Sequence, residues 1–339
     1  MRTARMREIK RSKTEKTRMN RAAAVGNSLD RSTLASRVRG RGVYIAFVAL
    51  VVFNLIVTPN FASTATLSNL LIQVSPVVLV SLGVALAIGT EGIDLSVGSV
   101  MALASAFLPL YLGYGWPVAL LVALLIGALA GLVNGSLVAF VGIQPIIATL
   151  AMLVGGRGLA QIFAGGQLLI VSDPTVLALG QGRPFGVPAP VIVAVVAVLV
   201  VGFLVNRTTF GRYVVAIGGN RSASYLSGHP VRRTLLLVYV ISGLLAALAG
   251  IVATARLGAS DPSNIGILIE LSAITAVVVG GTPLSGGRVK ILGTVMGALL
   301  IQLISTTFIA NDLPFTWAQV FSAAIILVAV YLQKGRGAA

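Results

Sequence analysis

The chain has 339 residues, of which 57% are hydrophobic and 10% are charged, and its formal net charge is +16. Soluble domains carry about 25% charged residues, so this composition excludes a soluble globular protein. The absence of cysteine excludes disulfides and thiolate metal sites, and a single histidine, His229, argues against a histidine metal centre. We therefore expect no metal site in this chain.

The first 41 residues form a basic segment that holds 13 of the 25 lysines and arginines. Because an apolar run follows directly, we expect a disordered cytoplasmic tail close to anionic lipid headgroups. The basic lead is too long for a signal peptide, and more apolar runs follow it. Nucleic-acid binding by the tail is an alternative, but the position of the charge beside a membrane span favours lipid over nucleic acid.

Ten apolar stretches follow, each with about the length that a membrane-spanning helix requires. They lie at 43–58, 67–90, 95–112, 116–140, 145–164, 188–205, 234–254, 266–281, 291–309 and 315–333. Backbone in hydrocarbon must satisfy its own hydrogen bonds, so we predict an all-α polytopic membrane protein. The domains are then a tail at 1–41, a transmembrane permease domain at 42–333 and a cytoplasmic tail at 334–339.

The distribution of basic residues predicts the orientation of these spans. The segments assigned to the inside carry 22 lysines and arginines, whereas the outside loops carry Arg183 and Arg256. Cytoplasmic loops are enriched in these residues, so both termini are predicted to be cytoplasmic. The two polar outside loops, 165–187 and 255–265, are either functional or simple connectors.

The fourth span carries small residues at four-residue spacing, namely Gly127, Gly131 and Gly135. Small residues on one stripe let two helices approach closely, so we predict tight packing there. Asn134 lies seven residues after Gly127, on roughly the same face. Its amide bonds either a neighbouring helix or a polar substrate.

A seven-residue motif occurs twice, as GIDLSVG at 92–98 and as GTPLSGG at 281–287. Four residues match at the same spacing, and each copy follows an apolar run. This placement suggests two repeated halves on either side of a central basic segment, as in transporters built from duplications. Glu91 and Asp94 lie beside the first copy. Either they lie at the membrane interface or they bond the backbone of a broken helix.

Polar residues within or at the ends of apolar spans are candidates for a hydrophilic path. Arg157 and Glu270 are embedded charges, which either pair with each other or line such a path. The candidate pathway residues are Asp94, Ser96, Asn134, Gln144, Thr149, Arg157, Gln161 and Glu270.

The segment 206–233 lies between two apolar runs and carries five arginines, one histidine and no acidic residue. Within it, the Asn220 side chain can cap a short helix over 221–227. Gly228 suits the left-handed position after that helix, and Pro230 forbids its continuation. Two interpretations stay open, an ordinary positive-inside loop and a docking helix for a soluble partner. The start and stop signals favour the docking helix, because a tether needs no capped helix.

Four segments in chain order resemble the permease subunits of ribose-type sugar importers of the ATP-binding-cassette (ABC) class. They are GIDLSVGSVMAL at 92–103, QPIIATLAML at 144–153, GRYVVAIGGNRSASYLSG at 211–228 and GGTPLSGGRVKILGTVMGAL at 280–299. A fifth segment, GGRGLAQIFAGGQ at 155–167, is similar to galactofuranose-type members. The resemblance covers about residues 42–333, and its four ordered motifs make it specific.

The resemblance implies two permease subunits per pore, two cytoplasmic ATPases and an external sugar-binding protein, in the bacterial plasma (inner) membrane. It implies no cofactor in this subunit, because ATP and Mg²⁺ would be bound by the partners. In agreement, the sequence contains no G-x-x-x-x-G-K-[ST] phosphate loop. It also implies that 211–228 contains the helix coupled to the ATPase, with contact residues Gly211, Arg212, Gly218, Asn220, Arg221, Ala223, Leu226 and Gly228.

The sequence therefore predicts a non-enzymatic permease subunit that imports a ribose- or galactofuranose-like monosaccharide. Polar but mostly uncharged pathway groups suit a neutral, hydroxyl-rich solute. The competing class is an ion-driven secondary transporter, which the repeats and embedded acids would also fit and in which the basic segment would be a tether. A membrane enzyme is a more distant alternative, because no nucleophile–base pair or metal-ligand set is visible.

Overall fold

The computed structural model describes residues 42–334, which form thirteen α-helices and two short strands. The helices are α1 (Gly42–Val57), α2 (Thr64–Gly89), α3 (Val97–Leu110), α4 (Trp116–Ser136), α5 (Pro145–Phe163), α6 (Pro174–Gln181), α7 (Ala189–Arg207), α8 (Thr209–Gly219), α9 (Arg221–Leu226), α10 (Val231–Leu257), α11 (Ile269–Val279), α12 (Ile291–Ala310) and α13 (Phe315–Lys334). The strands are β1 (Leu169–Ile170) and β2 (Ala259–Ser260). The predicted tail at 1–41 and residues 335–339 lie outside the described part.

Each of the ten predicted spans contains a helix. Within residues 42–334, six helices are long and apolar enough to cross a membrane, namely α2, α4 with the π-turn that extends it to Val141, α5, α7, α10 and α12. Helices α1, α3 and α11 are apolar but have only 10–17 residues. Helix α3 is shorter than predicted because it begins after a break at 90–96, and α11 begins after turns at 262–268. The all-α membrane fold is confirmed, while the number of crossings stays a prediction.

Helices α2 and α10 lie at the centre of the packing. Every residue of α2 from Val78 to Gly89 is buried. Helix α10 packs against α4, α2 and α3, and α2 also packs against α7, α11 and α12. The buried polar side chains of these helices, such as Ser75, Ser81 and Ser242, therefore lie among other parts of the protein.

The glycine stripe of α4 lies against α10, as its spacing predicts. A Cβ added at Gly127 would overlap the backbone of Gly243, and one added at Gly135 would lie 3.0 Å from the Cα of Leu236. Van der Waals packing drives the association of helices in a membrane, so small residues permit the extensive contact between α4 and α10.

We expect Gly131→Val to destabilise the pairing of α4 with α10. A Cβ at residue 131 would overlap the carbonyl oxygen of Tyr239 and lie 2.8 Å from the Cα of Val240. Overpacking of this kind costs about 1–3 kcal/mol, which thermal unfolding of the purified protein in detergent will measure. Gly155→Val in α5 is the matched control, since a Cβ there meets nothing within 4 Å. Equal stability of the two variants would contradict this packing.

The two predicted outside loops contact each other through a short antiparallel ladder. Strand β1 pairs with β2, with Leu169 opposite Ser260, and the backbone N–H of Val171 donates to the carbonyl oxygen of Gly258 at 2.9 Å. The longer loop also contains α6, whose N-terminus is capped by the side chain of Asp173. The loops therefore have defined structure and are not simple solvated connectors.

Candidate transport path and coupling segment

The break between α2 and α3 holds a buried carboxylate. Asp94 is only 2% exposed. Its Oδ1 accepts hydrogen bonds from the backbone N–H of Ser96 at 3.0 Å and from the Ser96 hydroxyl at 2.6 Å, while its Oδ2 accepts one from the Ser242 hydroxyl at 2.7 Å. Of the two alternatives that the sequence left open, Asp94 therefore bonds the backbone of a broken helix. Glu91, by contrast, is exposed.

Two further predicted pathway residues donate hydrogen bonds to residues of the same break. The side-chain amide of Asn134 donates to the Ser96 hydroxyl at 2.8 Å, and the Thr149 hydroxyl donates to the carbonyl oxygen of Ile93 at 3.1 Å. The amide oxygen of Asn134, Oδ1, and the hydroxyl of Tyr239 are buried with no hydrogen-bond partner among residues 42–334. Hereafter, the Asp94 network means Asp94, Ser96, Asn134 and Ser242.

A second polar cluster lies where α5 meets the turn before α11. One terminal guanidinium nitrogen of Arg157 donates to the carbonyl oxygens of Pro262 and Ile265, each at 3.0 Å. One turn further along α5, the Gln161 amide donates to the Ser263 hydroxyl at 3.5 Å. Two side chains of α5 therefore hold the backbone and a side chain of this turn.

Glu270 belongs to this second cluster and lies in the first turn of α11. It is buried, and its Oε2 has no hydrogen-bond partner in the described part of the chain. Arg157 attracts it electrostatically but directs hydrogen bonds to the turn carbonyls. A Cβ at Gly98 would come within 2.6 Å of this carboxylate, so the glycine of the first motif leaves room for it.

The predicted pathway residues thus fall into two groups, and one residue stands apart. Gln144 is exposed at the start of α5 and contributes no side-chain cap there. Among the residues that sequence reasoning missed is Ser242, which bonds Asp94. It also missed a fully buried chain of hydroxyls in which Thr254 donates to Ser105 at 2.7 Å and Ser105 donates to Ser260 at 2.8 Å. Isolated serines and threonines in apolar spans gave no usable signal, because their partners are about 150 residues away.

The central basic segment contains two helices, α8 and α9, where the sequence predicted one. Helix α8 buries Gly211, Val214, Ile217 and Gly218 on one face. Their spacing of three to four residues is a helical pattern that could have revealed α8. Arg212 lies on the exposed face, so the predicted contact residues of α8 divide between the interior and the surface.

Helix α9 begins at the predicted residue and ends close to the predicted one. The Asn220 side chain accepts a hydrogen bond from the backbone N–H of Ala223 at 2.8 Å. Gly228 has a φ of +77°, the left-handed conformation that glycine adopts most easily. The helix spans Arg221–Leu226, one residue less than predicted, and α10 begins directly after Pro230.

The side chains of α9 present an apolar surface to solvent. Tyr225 is 65% exposed and Leu226 is 85% exposed, while Ser224 is buried. The docking face hereafter means Arg221, Ala223, Tyr225 and Leu226, all of which are exposed. It borders a groove of about 520 Å³ between α9, the π-turn after α4 and the start of α10, with Arg221 and Arg232 among its lining residues. The docking face and the groove together present apolar and cationic side chains.

The sequence of this helical membrane protein matches a family of permeases. Residues 66–330 match the profile of the family described as branched-chain amino acid transport system / permease component. This match covers most of the chain, so the chain belongs to this family.

Curated relatives place the chain beside sugar permeases of ABC importers. It is 41% identical over 270 residues, 79% of each chain, to the galactofuranose transporter permease protein YtfT of Escherichia coli (strain K12). It is 38% identical to the ribose import permease protein RbsC of the same organism, over 86% of this chain and 92% of the relative. It is 35% identical to the fructose import permease protein FruF of Bifidobacterium longum (strain NCC 2705), over 92% of each chain. These similarities confirm the resemblance, and no solved structure matches the chain significantly.

Proposed function

We propose that this protein is the transmembrane permease subunit of an ABC importer that moves a ribose- or galactofuranose-like monosaccharide into the cytoplasm. The docking face on α9 is the observation that carries the proposal. A helix of six residues is not stable alone in water, and α9 is held by its caps and by packing on α8 and α10. Its Tyr225 and Leu226 side chains stay exposed and lack a covering surface among residues 42–334. An ATPase groove would supply that surface, in the way that grooves bind short amphipathic helices.

The proposal also covers the topology, location and partners of the subunit. The subunit has ten spans in two repeated halves, both termini in the cytoplasm and a location in the bacterial inner membrane. It works with a second permease subunit, cytoplasmic ATPases, an external sugar-binding protein and surrounding lipid, and with no nucleic acid. ATP and Mg²⁺ are bound by the ATPases, so this subunit needs no cofactor and is not itself an enzyme.

The transport cycle is driven from the cytoplasmic side. Closure of the ATPases on ATP moves α9 and rocks the two halves of the permease, so that the cavity turns from the inside to the outside. Sugar released by the docked binding protein then enters. The predicted pathway groups are polar and mostly uncharged, which suits a solute that needs many modest hydrogen bonds.

Uptake in reconstituted vesicles tests this function. The permease is assembled with its ATPase and binding protein, and uptake of radiolabelled ribose and galactofuranose is followed. We expect uptake to require ATP and to persist when an ionophore removes ion gradients. Uptake that continues without ATP while an ion gradient remains would instead establish a secondary transporter.

Cysteine labelling tests the orientation, because the chain has no native cysteine. Ser222→Cys is the better probe on α9, since Ser222 is exposed whereas Ser224 is buried. With the permease expressed alone, we expect an impermeant thiol reagent to label Ser222→Cys in inside-out vesicles and not in intact cells. Ser172→Cys, at an exposed position in a predicted outside loop, should show the opposite pattern. Labelling of Ser222→Cys in intact cells would reverse the topology.

A further inference from the structure

Three segments far apart in sequence meet through bare backbone next to α9. A Cβ at Gly218, near the end of α8, would overlap the carbonyl oxygen of Gly89 at the end of α2 and come within 2.5 Å of the backbone nitrogen of Gly287. The N–H of Gly287 donates to the carbonyl oxygen of Gly89 at 3.1 Å. The glycine junction hereafter means Gly89, Gly218 and Gly287.

The glycine junction brings the end of one motif copy together with the end of α2, just before the other copy, and with the end of α8, just before the docking helix. Gly287 is the last residue of the copy at 281–287, and Gly89 lies three residues before the copy at 92–98. Gly218 lies three residues before the first residue of α9. Asp94 follows Gly89 by five residues, so the Asp94 network lies directly beyond the junction.

Helix α9 reaches the interior mainly through α8. It packs on α8 and to a lesser extent on α10, and α8 in turn contacts α7, α10 and α2. A side chain of α8 also lies close to the end of α2, because a Cβ at Gly89 would lie 3.0 Å from a γ-carbon of Val214. Densely packed interiors transmit displacement, and a contact between backbones has no side-chain rotamer that could absorb it.

We infer that Gly218 is a positioning residue that transmits the movement of α9 to both motif segments as one rigid unit. This inference rests on the proposed ATP-driven function. When α9 moves, the end of α2 and the end of the second motif move with it, and the Asp94 network receives the displacement. A residue with a side chain at position 218 would separate the three segments and break this transmission.

Alanine substitution at two adjacent glycines tests the inference in the assembled complex of permease, ATPase and binding protein. We expect Gly218→Ala to keep the ATPase bound during purification but to lower sugar uptake per ATP hydrolysed about tenfold, because the Cβ overpacks the junction. Gly219→Ala is the matched control, since a Cβ there meets nothing within 4 Å, and it should resemble the unmodified complex. A purely structural role would lower ATPase binding and uptake together.

A cysteine pair tests the same unit without adding volume. Val214 and Val289 both approach Gly89, so Val214→Cys combined with Val289→Cys places two thiols across the junction. Mild oxidation should join the pair as a disulfide and leave uptake within about twofold of the reduced protein, because a unit that moves rigidly tolerates an internal link. This double variant still tests the inference if Gly218→Ala fails to fold.

The outcomes separate the inference from the function on which it rests. If uptake by the unmodified complex does not need ATP, the proposed function fails. If that uptake needs ATP but Gly218→Ala couples normally, only the inference fails. Loss of uptake on disulfide formation, with recovery on reduction, would also overturn it.

Discussion

Ala223→Glu in α9 is expected to abolish sugar uptake and co-purification of the ATPase. Ala223 lies on the docking face, so the variant places a charge in the proposed contact. Leaving a charge unpaired in an interface costs about 2 kcal/mol or more, which is roughly a 30-fold loss of affinity. Affinity purification and vesicle uptake measure the two losses, and insertion into the membrane should be unaffected because α9 is outside the predicted spans.

Residue 223 lies at a position where glutamate should not disturb α9 itself, so a loss of uptake would report on the contact. Ala223 is the third residue of α9, after the Asn220 cap. Glutamate is tolerated there, because a carboxylate in the first turn interacts favourably with the helix dipole. The variant should therefore keep or strengthen the helix while damaging the contact. Ala223→Ser is the uncharged control and should retain uptake. Normal uptake and normal ATPase stimulation in Ala223→Glu would mean that the segment is a tether.

Asp94→Ala is expected to have the largest effect on stability. The substitution leaves two Ser96 donors and the Ser242 hydroxyl without the carboxylate that accepts their hydrogen bonds. Each lost bond to a charged acceptor costs about 1.5–3 kcal/mol, so the three lost bonds together cost roughly 4.5–9 kcal/mol. Thermal unfolding in detergent and the yield of inserted protein will report it.

Asp94→Asn is the matched control for this prediction. The amide keeps the size of the side chain and one acceptor oxygen, and the Ser242 hydroxyl can turn to accept from its nitrogen. We therefore expect a smaller loss of stability than in Asp94→Ala. If both variants unfold at the temperature of the unmodified protein, the hydrogen bonds of Asp94 contribute nothing to stability. If both are stable but lose uptake, Asp94 acts in the path and its structural role is minor.

Local signals in the sequence predicted part of the architecture. Asn220 and Gly228 set the limits of α9 through chemistry contained in a few residues. The glycine spacing of α4 likewise predicted a close helix contact, although not that α10 is the partner. The apolar stretches located a helix in each predicted span, because about 20 apolar residues leave few alternatives to a membrane helix.

Contacts between distant residues could not be predicted in the same way. Ser242 is an unremarkable serine in an apolar run, and only folding brings it to Asp94, 148 residues away. Helix α8 lies in a segment whose charge and position predict a loop between spans, although its buried face has helical spacing. The meeting of the second motif copy with the end of α2 beside Gly218 depends on the packing of α2, α8 and the segment before α12, which no local pattern specifies.

The partner of Asp94 also has a consequence for the synthesis of the chain. At about 5–20 residues per second, the ribosome takes roughly 7–30 s to add the 148 residues between Asp94 and Ser242. During that interval the carboxylate lacks one of its three donors, and α2 and α3 lack the helix that packs between α2 and α4. A setting that accommodates a polar carboxyl group, such as the insertion channel or the membrane surface, would favour the first segments until α10 is made. A chain that stalls before α10 would expose this incomplete site to quality-control proteases.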